Sequence, residues 1–245
     1  ALSALISYPV GTKTTCVRYA FIARYMTPSL LGLEKLVGDE VKRLGLKNVR
    51  VENGRIFCDG TDTDCARLNI NLRCGARVLL VLGEFPARSF EELFQGVKAI
   101  AWEDYIPKDG AFPVKGYSIT SQLHSAPACQ SIVKKAMVER LKGRYGLEQF
   151  PESGAKYQVR FSLFKDQAVI GLDGSGEGLY KRGYRAVGVE APLRETLAAA
   201  MVLLSRYRGR DPFCDPFCGS GTTGNTTSGA GTSTPAPWTL PAATP

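Results

Sequence analysis

"KNVRVENGRIFCD", residues 47–59, writes a hairpin in one line. Asn53-Gly54 sits between two short runs, about 47–52 and 55–59, and Asn-Gly is the strongest short-range hairpin signal because both residues tolerate positive φ. Outward from this turn, helices flank the pair. Upstream, "SLLGLEKLVGDEVKRLGL" sets Leu30, Leu33, Leu36, Val37, Val41 and Leu44 at helical spacing, with Ser29 as N-cap and Gly45 as stop. Downstream, a second helix fits about 62–72. Beyond these lie two apolar runs, "YAFIARYM" at 19–26 and "ARVLLVLGEF" at 76–85. The order strand, helix, strand, strand, helix, strand predicts a ferredoxin-like α+β unit.

A second mixed pattern follows. "SFEELFQGVKAI" reads as a helix ending near Trp102, and "AFPVKGYSIT" as a strand. "ACQSIVKKAMVERLKGRYG" is a helix whose buried side is assigned to Ile132, Ala136, Val138 and Leu141. "YQVRFSLFKDQAVIGLD" alternates and folds back at Lys165-Asp166 as a hairpin. Phe94 and Trp102 are placed in the core between helix and sheet. Residues 174–191 form a Gly- and charge-rich connection in which "GSGEGL" (174–179) reads as a flexible turn. A long helix, "PLRETLAAAMVLLSRY", starts with Pro192 in its first turn. After Thr222 no charged side chain remains, and residues 223–245 read as disordered.

The chain has 245 residues, 44% hydrophobic, with a formal net charge of +8. That describes a globular protein with a polyanion-seeking surface, set against a merely basic one. No window of about 18 apolar residues appears, so no membrane-spanning helix is expected. Residues 1–18 carry no cationic lead before their apolar stretch and read as a leader, a disordered segment or a fragment start. Seven scattered cysteines in a chain this large point to a reducing cytoplasm rather than to disulfides. Cys58, Cys65 and Cys74 lack zinc-knuckle spacing, and Cys214 with Cys218 lacks a second ligand pair; all read as packed thiols. His124 is the only histidine, so no metal site is expected.

Chemistry concentrates in "DPFCGSGT", residues 215–222. Gly219 and Gly221 let backbone approach a ligand closely. An acidic residue before such a loop suits hydroxyl or ammonium groups. A phosphate cradle would want a Lys after the last Gly, and the spacing is not that of a dinucleotide fingerprint either.

With this loop the chain resembles the THUMP-containing, S-adenosylmethionine-dependent N2-guanine methyltransferases of large-subunit ribosomal RNA. The likeness continues, in order, through "GLEKLVGDEVKRLG", "GVKAIAWEDYIP", "HSAPACQSIVKKAMVERL", "LDGSGEGLYKRGYR" and "APLRETLAAAMVLLSR", covering about residues 19–222. It implies an α+β fold: a ferredoxin-like unit over 19–75, a THUMP RNA-binding domain over 76–173, a linker over 174–191, and the start of a Rossmann-like α/β methyltransferase domain over 192–222. It also implies that Asp215, Gly219 and Gly221 line the methionine and ribose side of S-adenosylmethionine, with Phe217 and Cys218 between them and Thr222 opening a helix.

The chain departs from that family after Thr222. The apolar helix, the acidic strand end and the Asn-Pro-Pro-Tyr-type loop that holds the target amino group are all missing, and no Asn-Pro-Pro or Asp-Pro-Pro occurs anywhere. A methyltransferase is therefore implied by resemblance, while this chain alone is expected to be inactive. Its uncharged tail reads as a frameshifted or foreign continuation. The alternative is a non-catalytic THUMP-type RNA-binding module. The apolar side of "TLAAAMVLL" is expected to lie exposed and to lower solubility.

For ribosomal RNA the candidates are the loop Ser121–Pro127, with Ser125 at a helix start, and Lys134, Lys135, Lys142 and Arg144 along that helix. "KRGYR" adds Lys181, Arg182, Tyr184 and Arg185, bases interleaved with a ring that can stack on a nucleobase. A solvated helix face and an ordinary basic linker are the competing readings.

Overall fold

In the computed structural model the chain runs β1 (Ala23–Pro28), α1 (Glu34–Arg43), β2 (Lys47–Glu52), β3 (Arg55–Gly60), α2 (Asp62–Asn71), β4 (Leu79–Pro86), α3 (Phe90–Ala99), a 3-10 turn (Trp102–Asp104), β5 (Val114–Ile119), α4 (Ala126–Tyr145), β6 (Val159–Phe164), β7 (Gln167–Asp173) and α5 (Glu195–Leu204). The structure describes residues 22–181, 193–208 and 212–215. The seven strands make one sheet in the order β2-β3-β1-β4-β7-β6-β5. Its first four strands, with α1 and α2, are the ferredoxin-like βαββαβ unit. β4 pairs with β1 on one side and β7 on the other, so the second unit grows from the first without a seam. β5 and β6 are parallel, Val114–Ile119 against Val159–Phe164, and that geometry needs the crossover that α4 provides.

The Asn53-Gly54 turn joins β2 to β3 as expected, and Gly45 ends α1; their glycine φ values are +73° and +79°. The hairpin at Lys165-Asp166 is also present, with φ of 51° and 60° at the two residues, as a tight β6–β7 turn requires. Ser29 does not cap α1. The helix begins at Glu34, because the Ser29 amide donates to the Gly54 carbonyl (2.9 Å) and Leu30–Leu33 close a separate turn. The Glu34 carboxylate serves instead, accepting from the Gly32 and Gly54 amides at 2.8 and 2.9 Å and tying the helix to the hairpin.

Strand alternation sorts the side chains into two faces. Tyr25, Ile56, Cys58 and Val78 meet Val37 and Val41 of α1 and Leu68 of α2 in one core. Trp102, Leu93 and Val97 pack with Val133, Ala136, Met137 and Leu141 of α4 and with Phe161, Leu163 and Ile170 in another. Leu80 of β4 touches both, so α1 to α4 lie on one side of the sheet. On α4 the buried stripe is Cys129, Val133, Ala136, Met137 and Leu141; Ile132 and Val138 flank it, half-buried. The stripe holds Ala136 and Leu141 as expected and adds Cys129, Val133 and Met137, because α4 is wedged between α3 and the sheet and is covered on a broader arc. Trp102 is fully buried and its indole N–H donates to the Val97 carbonyl (2.8 Å), whereas Phe94 sits at the rim.

Among the described residues the opposite face carries no helix, yet it holds its own small core, Met26, Phe57, Leu79 and Val169. Curvature explains it. β3 and β6 are four strands apart, about 19 Å in a flat sheet. Yet Arg55 of β3 donates to Ser162 of β6 and lies 5.8 Å from the Phe164 ring centroid. The sheet therefore curls around Arg55, which also sits over Phe57 and pairs with Glu52. Register shifts in β4 at Val81/Gly83 and in β2 at Lys47/Arg50 supply bends of the kind that bulges introduce.

Two expectations about the segment after β7 are corrected. "GSGEGL" is not a loose turn. The Ser175 hydroxyl donates to Asn69 Oδ1 (2.6 Å) and accepts from the Val78 amide, while the Leu179 amide donates to the Ala76 carbonyl and Leu179 is buried. Nor is α5 without partners. Ala199 and Ala200 enter the core of Val37 and Val41, and only its other side, Met201 and Leu204, is exposed. Small alanines let the helix lie close, a consequence that hydrophobicity counts do not reveal.

Candidate nucleic-acid interface

The α4 cations fall into two groups. Lys134 is bound inward: its ammonium reaches the Phe112 carbonyl (3.0 Å) and Glu152 (2.6 Å) and lies 3.6 Å from the Phe112 ring centroid. Arg144 joins Arg140 on Glu103, at 2.7 and 2.6 Å. Hydrogen bonding from Arg140 above all, with Arg144 adding, holds the Glu103 carboxyl at about 2, down from 4.5. Lys135 and Lys142 are exposed with no ion pair among the described residues, Lys135 lying 6.0 Å from the Phe94 ring centroid. So of the four helix cations picked out from the sequence, Lys135 and Lys142 are available to an outside anion.

Ser125 is the N-cap of α4, accepting from the Ala128 amide at 3.4 Å. Around it Ser121 and Gln122 are tied to the β6–β7 turn through Asp166, and His124 is exposed with Nδ1 at 3.4 Å from the Ser121 carbonyl. Ser125 and Lys142 lie 17 residues apart on one 20-residue helix, about 25 Å along its axis. The predicted set is therefore split between the two ends of α4, not gathered at one spot. α4 returns antiparallel to β5 and β6, so Lys142 and Arg144 lie at the strands' starting end.

At that same end the helix-free face carries charges that sequence reading did not single out. Asp173, its side chain fully buried, accepts from Arg77 Nη1 (2.6 Å) and Arg160 Nε (2.7 Å), and its second oxygen from the Ser175 amide (3.0 Å). Lys115 of β5 is the register partner of Arg160, and Tyr117, two residues on, is exposed on the same face. Alternation along "AFPVKGYSIT" and "YQVRF" was the available signal; the curl that joins them to Arg77 was not.

Lys181 is exposed and 3.8 Å from Glu177. Arg182, Tyr184 and Arg185 lie outside the described residues, as do Phe217, Cys218, Gly219, Gly221 and Thr222 of the candidate cofactor loop and the tail over 223–245. Asp215 is described and half-buried, and it has an interaction partner. Its carboxylate has the chemistry for ribose hydroxyls or an ammonium group. Burial, above all, pushes the Cys58 and Cys74 thiols up to about 12 and that of Cys65 to about 11, which leaves them inert; Cys214 is exposed. Among the described residues no cluster of metal-ligating side chains forms, and no helix is long and apolar enough to cross a membrane.

Residues 24–79 match the RlmL ferredoxin-like domain, 87–173 the THUMP domain and 182–224 the RMKL-like methyltransferase domain. The chain is 48% identical over 194 residues to the putative RNA methyltransferase YpsC of Bacillus subtilis, covering 78% of this chain and 50% of that protein. It is 34% identical over 200 residues to the ribosomal RNA large subunit methyltransferase K/L of Psychromonas ingrahamii, covering 81% of this chain and 26% of that protein. Among solved structures, a predicted N6-adenine-specific DNA methylase of Listeria monocytogenes superposes with a TM-score of 0.78 at 44% identity, covering 85% of this chain and 55% of the other. SMU.472, a putative methyltransferase complexed with SAH, gives 0.75 at 43% identity, covering 84% and 55%. The chain thus spans about half the length of its B. subtilis relative and a quarter of the P. ingrahamii one. By domain succession and by these likenesses, it carries in order the RlmL ferredoxin-like domain, the THUMP domain and a stretch of the RMKL-like methyltransferase domain, and is similar over that span to THUMP-containing methyltransferases.

Proposed function

We propose that this chain is the RNA-binding part of an S-adenosylmethionine-dependent methyltransferase that modifies guanine N2 in large-subunit ribosomal RNA. The observation that carries the reading is the succession in one chain: a ferredoxin-like unit and a THUMP domain on one sheet, then "DPFCGSGT". A net charge of +8 supports a polyanionic partner. In this reading Lys135 and Lys142, free of ion pairs among the described residues, meet RNA phosphates. Ser125 with its amide-rich helix start and the segment Lys181, Arg182, Tyr184 and Arg185 contribute at other points. Lys134 and Arg144 act chiefly through field, since each already faces a carboxylate.

Asp215, with Phe217, Cys218, Gly219, Gly221 and Thr222, would hold the methionine and ribose side of S-adenosylmethionine. The cofactor supplies an activated methyl group when bound. Transfer depends on holding the acceptor nitrogen in line with it, a positioning task. The chain contains no Asn-Pro-Pro or Asp-Pro-Pro sequence to do so. In this reading the described residues of the chain serve to grip the RNA. Its setting in this reading is cytoplasmic, where ribosomal RNA is modified.

Two measurements test this. Calorimetric titration of the chain with S-adenosylhomocysteine and, separately, with transcribed large-subunit ribosomal RNA should show salt-sensitive RNA binding; RNA binding with no cofactor affinity leaves the non-catalytic module. Nucleoside mass spectrometry of large-subunit RNA from cells lacking the gene should show a loss of N2-methylguanosine. An unchanged content of that nucleoside rejects the guanine assignment.

A further inference from the structure

We propose that Arg77, Arg160 and Lys115 form a built seat for a backbone phosphate of RNA on the helix-free face of the sheet. This rests on the RNA-binding reading above and assigns it residues that neither the α4 charges nor the "KRGYR" segment contains. Three observations converge. First, the Asp173 carboxylate, wholly buried, takes one N–H from each arginine, Arg77 Nη1 and Arg160 Nε. One negative charge serves two positive ones, so the cluster keeps a net positive charge before Lys115 is added. Second, the arginines are not saturated. Among the described residues Arg77 gives one other bond, at 2.7 Å, to the Gly176 carbonyl, and Arg160 makes no other, while their side chains stay 18% and 25% exposed. Each guanidinium carries five N–H donors in a fixed fork, which leaves outward donors of the sort that grip phosphate in pairs. Third, Lys115 is Arg160's register partner on edge strand β5, exposed and without a partner among the described residues, and Tyr117 beside it presents an exposed ring on the same face.

Preorganisation distinguishes this cluster from an ordinary basic surface. Asp173 is held by the Ser175 amide, and Ser175 is held by Asn69 and Val78, so the arginines are fixed by a network reaching to α2 and to the residue just before β4. Free surface lysines must lose rotamer freedom on binding; these two guanidiniums have already lost it. Tyr117 lies where a base attached to the bound phosphate can stack. The seat and Lys142 share the strand-start end of the sheet, so one RNA can reach both by rounding the β5 edge.

The test is fluorescence anisotropy of a labelled hairpin from transcribed large-subunit ribosomal RNA, titrated with the full chain over a salt series. Each phosphate contact contributes about 0.7–0.9 to the slope of log affinity against log salt. Lys115→Gln and Arg160→Gln should each flatten the slope by about that amount. Lys115→Gln should do so without lowering the thermal midpoint, which separates binding from folding, because Arg160→Gln also loosens Asp173. A slope unchanged in Lys115→Gln and Arg160→Gln, while Lys142→Gln flattens it, overturns the seat and leaves RNA on the helix side. A wild-type chain that shows no salt-dependent RNA binding overturns the underlying RNA reading instead. Equal competition by DNA of the same sequence would also count against RNA as the occupant.

Discussion

At the scale of single residues, Glu103 is the most consequential carboxylate. Arg140 and Arg144 converge on it from one helix face, and Tyr145 adds a hydrogen bond to its carbonyl, so one side chain fastens α4 to the 3-10 turn. Its folded-state value of about 2 lies below the ordinary 4.5, so its stabilisation is complete above about pH 4.5 and fades as pH falls toward 2. Glu103→Gln should lower the thermal midpoint at neutral pH by about 2–4 °C, the shift that roughly 1 kcal/mol gives in a chain of this size. The gap between variant and wild type should shrink as the solution is acidified; a gap constant down to pH 2 would show that Glu103 acts by packing alone. Thiol chemistry offers a second check at this scale. With values near 11 and 12, Cys58, Cys65 and Cys74 should resist iodoacetamide in the folded protein while Cys214 alkylates. Peptide mass mapping that finds Cys58 modified under native conditions would contradict the core described here.

At the scale of elements, the β5–β6 pairing depends on Gly116. A methyl group there would collide with the Phe161 carbonyl and ring. Backbone cannot step aside cheaply, so Gly116→Ala should cost about 3 kcal/mol, readable as a lower urea midpoint; a shift under a third of that would mean that the edge strand adapts. Elements are also where the sequence was most legible. The Asn53-Gly54 and Lys165-Asp166 turns, the α1 stop at Gly45 and the α2 span each rest on local chemistry that needs no neighbour. Ser29 failed as a cap for the opposite reason, since its amide belongs to Gly54, a partner on another element. Only part of the α4 stripe was legible, and α5 was wrongly left uncovered, because burial depends on what arrives from elsewhere. The Arg77–Asp173–Arg160 cluster spans 96 residues of sequence between its first pair, beyond anything spacing can show. Of the proposed cofactor loop, only Asp215 is placed by the structure, so its reading still rests on motif and likeness.

At the scale of the whole molecule, the ferredoxin-like and THUMP units share β4 and fold onto one sheet. They should therefore unfold together. Trp102 reports the THUMP side, and exposure of Cys58 and Cys74 to a rapid alkylating pulse reports the other. With Trp238 replaced by Phe, fluorescence and alkylation should trace one urea transition with one midpoint. Two separated midpoints would show that each unit completes its own core and that the shared strand is only a contact.

The double role of β4 reaches beyond stability, to how such chains can be rearranged over time. A cut on either side of Leu79–Pro86 strips one half of its border strand and leaves a row of bare amides and carbonyls ready to pair with any other chain. Recombination that carried the THUMP unit into a new protein alone would release an aggregating fragment; carried with its ferredoxin-like companion, it arrives finished. The piece that can move without baring an edge is therefore the pair.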